Sequence, residues 1–363
     1  MENQHIKHTV IIPSHNTLLH LQNTYASLLK YGGNVKIIII DDASEDGTAE
    51  WLNTLDNPNL QVIISPERKG HTFWYDEGMR ISTTEVVSIL HSDMIIGPNY
   101  FENLLKHLEP GKVVCATRIE PPIHPAGKEK IVMDFGDEAD IFTWDKFESF
   151  VTTELDNSKD KTTRGIFAPW MLYKKDHLSI GGHDQNFAPY GYEDSDIFNR
   201  WILAGYEMIQ SRGSLCYHMT CRGHRWNKGV GIENADYKET MEKGRKYFLK
   251  KWGHWIQNDE YQYPIISSVY KKGVIINNPN PQLTEALEPW FNDDDFAYQD
   301  IIVEVDGNNF TQQDFQIIQQ LNAIIKDSGE IGEFELGNLK ITINSMKEYQ
   351  NELIKINEKT PTK

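Results

Sequence analysis

The chain has 363 residues, a formal net charge of −17, an apolar fraction of 39 % and 9 Trp, 16 Tyr and 15 Phe, enough for one large α/β domain with a smaller appendage. It has no run of 18 apolar residues, so no membrane span is expected; MENQHIKHTV leads straight into an apolar strand with no room for a signal peptide, and the expected location is cytoplasmic. The acidic balance speaks against a duplex-binding face, so nucleic acid is not expected as a partner.

HTVIIPS predicts a short strand, and residues 17–31 carry apolar side chains at helical spacing up to Gly32-Gly33. VKIIIIDD is an almost continuous β-branched run, the kind found in a parallel strand buried on both faces. A helix over 46–56, the strand QVIIS, a helix over 72–82 and the strand EVVSILHSD continue the alternation. Four strands with intervening helices predict a Rossmann-like, doubly wound sheet. Ligands of such sheets bind beyond the C-terminal strand ends, which points to residues 13–16, 41–42 and 91–93. Residues 110–165 read as irregular surface connections, residues 166–254 as a substrate-facing region, and ADYKETMEKGRKYFLKKWG as a basic helix ending at Gly253.

Residues 256–300 read as a linker or wrapping arm, with NNPNPQ and the acidic NDDDF. IIVEVDG, TQQDFQIIQQLNAIIKDSG, FELGNLKITIN and EYQNELIKI then predict a small acidic α/β appendage over 301–363, giving domains at 1–255, 256–300 and 301–363. From residue 256 onward there are 18 acids against 8 lysines and no arginine, a composition that suits an interaction or self-association surface. Cys115, Cys216 and Cys221 form no even framework and no CxxC pair, which fits a reducing compartment. Cys216 and Cys221 with His218 and His224 lack a second ligand pair at zinc-finger spacing.

Three groups of carboxylates stand out. Asp41-Asp42 follows a buried strand and suits donors on a base or ribose, while Ser44 and Asp46 suit the capping of the next helix. Asp93, in LHSDM, ends an apolar strand where a divalent ion on a nucleotide diphosphate would find an oxygen ligand. Glu193, Asp194 and Asp196 open a helix, which the helix dipole favours, and Asp196 pairs at i,i+4 with Arg200. The dipole gives no reason for Tyr190, Gly191 and Tyr192 immediately ahead. Aromatic faces beside carboxylates make a platform for sugar rings, and a carboxylate near an acceptor hydroxyl can take its proton.

HTVIIPSHN, IIIIDDASEDGT, the L-x-S-D strand end, SIGGHDQNF and GYEDSDIFNRW, in this order, resemble a nucleotide-sugar glycosyltransferase of the GT-A fold. The first half is most similar to the family 2 enzymes. GYEDSDIFNR is similar to the acceptor-side motif of the β-1,4-galactosyltransferases and, more loosely, to that of the polypeptide GalNAc-transferases. The resemblance covers about residues 8–254. It implies a metal-dependent, inverting hexosyltransferase moving a sugar from a nucleotide donor, UDP favoured, to a hydroxyl of a glycan or other acceptor. Pro13, Ser14, His15, Asp41, Asp42, His91 and Ser92 would line the nucleotide. Asp93 would hold the metal with His218, and imidazole favours Mn²⁺ over Mg²⁺. Asp194 would be the base, Glu193 its sugar-orienting neighbour, and Tyr190, Gly191 and Tyr192 the sugar and acceptor platform. Arg222, His224, Arg225 and Lys228 would form a loop over the diphosphate. The family usually carries aspartate where this chain has His91, whose imidazole could bond a hydroxyl or join the metal. A retaining enzyme of the same fold, a non-catalytic nucleotide-sugar-binding module and a transferase acting on modified DNA bases stay open as alternatives.

Overall fold

The computed structural model describes residues 8–220, 222–226, 229–252, 254–266, 272–278, 281–287, 301–306, 332–336 and 339–345. They fall into two compact units, one within Met1–Gly244 and Gln257–Ile265, the other within Arg245–Ile256 and Ile266–Lys363.

In the first unit, strand and helix alternate as β1 (His8–Ser14), α1 (Leu18–Tyr31), β2 (Lys36–Asp42), α2 (Thr48–Leu52), β3 (Leu60–Ser65), α3 (His71–Ile81) and β4 (Val86–Ile89). Then follow β5 (Met94–Ile96), α4 (Tyr100–Leu105), β6 (Lys112–Glu120), β7 (Lys130–Val132), α5 (Trp144–Ser158), β8 (Thr162–Arg164), β9 (Trp170–Tyr173) and α6 (Lys174–Ser179). The last elements are α7 (Glu193–Leu203), β10 (Glu207–His218) and α8 (Tyr237–Trp252), in which the division between the units falls.

The strands form one mixed sheet in the order β3-β2-β1-β4-β9-β6-β10-β5, with β7 on β6 and β8 on β10. Strands β1 to β4 run parallel, β9 is antiparallel to both β4 and β6, and β10 is parallel to β6. The C-terminal ends of β1, β2, β4, β6 and β10 therefore open on one edge of the sheet.

Strand periodicity divides the core. Val10, Ile12, Ile37 and Ile39 pack with Leu21, Tyr25 and Leu28 of α1 on one face. Ile11, Ile38 and Ile40 pack with Trp74, Tyr75 and Met79 of α3 on the other. Burial on both faces is why β2 reads as an unbroken apolar run, each such side chain contributing about 1.5–3 kcal/mol. Helix α3 lies so close to β1 that a Cβ on Gly78 would stand 2.5 Å from Cγ2 of Ile11.

Two sequence expectations change here. Residues 110–165 hold a nine-residue buried strand, β6, and a fifteen-residue helix, α5, whose Phe147, Val151 and Leu155 pack on Leu215 and Tyr217 of β10. Helix α2 is five residues long, and Asp46 reaches beyond it: Oδ1 accepts from Thr48 N at 3.2 Å, while Oδ2 accepts from Leu18 N of α1 at 2.8 Å.

In the second unit β11 (Lys272–Asn277), α9 (Pro281–Leu287), β12 (Ile301–Asp306), β13 (Gly332–Leu336) and β14 (Leu339–Ser345) give a four-stranded sheet ordered β11-β12-β14-β13. Strand β11, inside the stretch expected as a linker or arm, pairs in parallel with β12, and FELGNLKITIN forms the antiparallel pair β13-β14. The helices expected at 311–329 and 348–356 lie outside the described residues.

Candidate active site

At the strand-end edge lies a crevice of about 580 Å³, counting space open to solvent. Pro13 and Ser14 of β1 with His15 just after it, Asp42 from β2, and His91, Ser92 and Asp93 after β4 line one side. Tyr190, Arg222 and His224 line the other. Hydroxyls knit the floor: Thr17 Oγ1 donates to Ser92 Oγ at 2.9 Å and lies 2.8 Å from Ser14 Oγ. His15 Nδ1 is 2.7 Å from the carbonyl of Asp42, so the β1 and β2 ends hold each other.

Asp42 organises the wall. Its Oδ1 accepts from Lys69 N at 2.8 Å and from Trp74 Nε1 at 2.6 Å, and its Oδ2 accepts from Gly70 N at 2.7 Å. The carboxylate thus closes the turn that starts α3 while bordering the crevice. Gly70, at φ +88°, touches Pro189 main chain to main chain: a Cβ there would sit 2.1 Å from the Pro189 carbonyl oxygen. Asp41 is buried and turned to Ser44 N at 3.3 Å, and it does not line the crevice; burial pushes its carboxyl up.

Beside this wall, ligand-type atoms of His91, Asp93 and His218 all lie within 4.8 Å of one another. His218 Nε2 and Asp93 Oδ1 are 3.5 Å apart. Two ligands about 2.1 Å from one ion stand about 3.0–3.4 Å apart along an octahedral or tetrahedral edge, so the pair has room for a divalent cation between them. Burial, followed by the neighbouring His218 and His71, holds His91 well below its ordinary value, which keeps it a neutral ligand-type imidazole. Asp93 is otherwise anchored by the strand ends: its carbonyl accepts from Met219 N at 3.1 Å and its Oδ2 from Arg222 N at 3.2 Å. Behind His218, Nδ1 lies 3.2 Å from Oε1 of Glu120, the last residue of β6.

The opening turn of α7 supplies the acids. Glu193 is buried and its Oε1 lies 2.6 Å from Nε2 of His71, the first residue of α3. Burial alone would raise Glu193, but the charge and hydrogen bond of His71 outweigh it and hold the carboxyl below its ordinary value. The same pair raises His71. Half-buried Asp194 is pushed up to about 6, first by loss of solvent and then by the Glu193 charge beside it. The phenol of Tyr75, which lines the crevice, is pushed well above its ordinary value by burial and then by the charges of Asp194, Glu193 and Asp93; Glu193 and Asp194 themselves are not among the residues that line the crevice. Tyr190 is buried against His71 at 6.3 Å and edge-on to His224 at 5.5 Å, with the Arg68 guanidinium 5.5 Å over its ring. Tyr192 takes the left-handed position before α7 at φ 72°. Asp196 is fully buried and faces Arg200 at 3.7 Å, and Arg200 in turn donates to the carbonyls of Gly182 and Ile180.

On the 222–236 segment, Arg222 pairs with Glu138 at 3.1 Å and donates to the Asp137 carbonyl. Burial, with His71 adding to it, lowers His224 to about 4. Arg225 is bound to Glu233 at 2.7 Å and stacks on Trp226 and Tyr237. Lys228 and Cys221 lie outside the described residues, and Cys216 is buried in β10. Residues the sequence reading missed are Arg68, His71, Tyr75 and Glu120; only Glu120 carried a signal, as a strand-terminal acid before Pro121-Pro122. A second buried cluster joins Asp76, His177 and His183. Here Asp76 Oδ1 lies 2.8 Å from His177 Nε2 and 2.7 Å from His183 Nδ1, shorter than a metal-ligand edge, and Oδ2 accepts from His183 N at 2.8 Å. That cluster is a hydrogen-bonded hub that fastens the 177–187 segment to α3.

Residues 9–179 match the family model described as glycosyl transferase family 2, and residues 157–224 match that of the N-terminal domain of galactosyltransferase. Validoxylamine A glucosyltransferase of Streptomyces hygroscopicus subsp. jinggangensis (strain 5008) is 22 % identical over 232 residues, 57 % of this chain and 54 % of that protein. Its counterpart from Streptomyces hygroscopicus subsp. limoneus is also 22 % identical, over 57 % of this chain and 50 % of that protein. The chain spans about half the length of the curated relatives it matches. Among solved structures, the mannosyltransferase PcManGT from Pyrobaculum calidifontis in complex with GDP-Man and Mn²⁺ is 18 % identical, covering 63 % of this chain and 59 % of that one at a TM-score of 0.43. GalNAc-T7 with UDP, GalNAc and Mn²⁺ is 15 % identical, covering 69 % and 51 % at 0.46. S. aureus TarS 1-349 in complex with UDP-GlcNAc is 15 % identical, covering 67 % of each chain at 0.44. Among the described residues no helix is long and apolar enough to cross a membrane. Residues 9–179 thus resemble glycosyl transferase family 2, and residues 157–224, overlapping them, resemble the N-terminal domain of galactosyltransferase.

Proposed function

We propose that the protein moves a sugar from a nucleoside-diphosphate donor, UDP favoured, to a hydroxyl of a glycan or similar acceptor with inversion at the anomeric carbon. The observation that carries this reading is that His71, which lines the crevice with Asp93, lies 2.6 Å from Glu193, the neighbour of Asp194. One crevice then serves both the departing diphosphate and the attacking alcohol. His91, Asp93 and His218 would hold a divalent cation, Mn²⁺ favoured over Mg²⁺, which when bound supplies Lewis-acid stabilisation of the leaving diphosphate.

Each remaining part belongs to the chain's own residues. Pro13, Ser14, His15 and Asp42, with Asp41 behind them, border the nucleoside, and Ser92 fixes the floor. Asp194 accepts the acceptor's hydroxyl proton as that oxygen bonds to the anomeric carbon and the carbon–oxygen bond to the diphosphate breaks. Glu193, held ionised by His71, accepts from a sugar hydroxyl, and Tyr190 with Gly191 and Tyr192 presents the platform. Arg222 and His224, which line the crevice, would face the diphosphate. An adjoining hollow shares His15, Arg68 and Gly223 with the crevice and is lined further by Ile232, Asn234 and Asp236.

A panel of nucleotide sugars tests the reading, with and without Mn²⁺, by thermal shift and donor hydrolysis. UDP-glucose belongs in it because the two curated relatives are named as glucosyltransferases. Cation-dependent turnover of a UDP-sugar and an inverted anomer by NMR are expected. A retained anomer would assign the alternative stereochemistry, and binding without turnover would make the chain a nucleotide-sugar-binding module.

A further inference from the structure

We propose that Glu120 is a positioning residue that sets His218 as a cation ligand by dictating which imidazole nitrogen carries the proton. The inference rests on the reading that His91, Asp93 and His218 hold a divalent cation, and it adds a residue that no motif singled out. The parallel register of β6 and β10 pairs Ile119 with Tyr217, so Glu120 and His218 emerge side by side at the strand ends. Glu120 is 2 % exposed. Its Oε1 lies 2.5 Å from Arg118 Nη1 and 3.2 Å from His218 Nδ1, and its Oε2 accepts from Lys130 Nζ at 2.8 Å.

Two cations on one buried carboxylate keep it ionised, and an ionised carboxylate only accepts. When the His218 ring carries a single proton, the contact with Glu120 places it on Nδ1 and leaves the Nε2 lone pair on the side of Asp93, 3.5 Å away. Glu120 stands across the ring from Asp93, so it does not reach the cation itself. It holds the ring plane and raises the basicity of the far nitrogen, as outer carboxylates do for metal-bound histidines. The carboxylate is itself fixed. Arg118 is stacked 3.8 Å from the Phe167 ring centre and faces Glu129 at 3.7 Å, while Lys130 comes from β7 across the 121–129 segment.

The test has two arms on the full chain. In the first, Mn²⁺ affinity is read by electron paramagnetic resonance for the wild type, Glu120→Gln and Asp93→Ala, with circular dichroism to verify folding. Folded Glu120→Gln is expected to bind Mn²⁺ about 10–100-fold more weakly; affinity within about threefold of wild type would overturn the proposal. In the second, ¹⁵N-histidine NMR of the metal-free wild type at pH 8, with His218 assigned by substitution, is expected to show the Nδ1–H tautomer. An Nε2–H tautomer would overturn the proposal even if Glu120→Gln failed to fold. Equal Mn²⁺ binding by wild type and Asp93→Ala would overturn the cation site itself and this inference with it. The wrong tautomer alongside Asp93-dependent binding would overturn this inference alone.

Discussion

The placing of Asp194 predicts a particular pH profile. Its carboxyl is pushed up to about 6 by burial and by Glu193. The form that accepts a proton is the ionised one, so activity is full above this value and is lost as pH falls through it. A group titrating at about 6 is about nine-tenths ionised at pH 7 and about one-tenth at pH 5, a tenfold fall in kcat/KM over that interval. A carboxylate at the ordinary value of about 3.9 would lose less than about a tenth of its ionised form over the same range. The assay is the rate of nucleoside diphosphate release at saturating cation and limiting donor, from pH 5 to 8. Asp194→Asn should lower the rate by about 10²–10⁴ and remove the acid limb. His71→Ala should move the limb to higher pH, because the His71 charge lowers Asp194. A flat profile between pH 7 and pH 5, or an unchanged acid limb in Asp194→Asn, would refute the assignment of the base.

Other perturbations test the frame around the site. Gly70→Ala, which places a Cβ 2.1 Å from the Pro189 oxygen at φ +88°, should destabilise the protein by about 2 kcal/mol or more in urea unfolding. Gly78→Ala should destabilise by about 1–3 kcal/mol through its clash with Ile11, despite the better helix propensity of alanine. Asp76→Ala, leaving two buried imidazoles without their acceptor, should cost about 1–3 kcal/mol for each group left unpaired, by the same measurement. Burial holds His177 at about 4 in the folded protein, so the folded state binds fewer protons than the unfolded one. The urea midpoint should accordingly be highest above pH 6.5 and decline as pH falls from 6.5 towards 4; a midpoint that rose over that interval would contradict the neutral imidazole.

The first strands and helices were readable because burial on both faces leaves a long β-branched signature in KIIIIDD, while α1 and α3 alternate against it. Strand β6 escaped notice because its end carries Arg118 and Glu120, charges that reside inside the protein only by pairing with each other and with Lys130. Helix α5 hid behind an acidic outer face, although Phe147, Val151 and Leu155 repeat every four residues. Of the site, the positions after strand ends were legible because a parallel sheet delivers all of them to one edge. His71 was not: its meaning depends on Glu193, 122 residues away in sequence. Nor did the doublet Asp41-Asp42 reveal its division, since strand alternation sends one acid into the β2–α2 turn and the other to Lys69, Gly70 and Trp74.

The close approach of Gly70 to Pro189 has a mechanical consequence. With no side chain between the two stretches of backbone, there is no slack to absorb a displacement. A nucleotide that nudges the turn before α3 on arrival pushes directly on the segment that carries Tyr190. On the proposed function, loading the donor is then expected to tune the berth of the acceptor, with donor before acceptor as the expected kinetic order, which product-inhibition patterns would check.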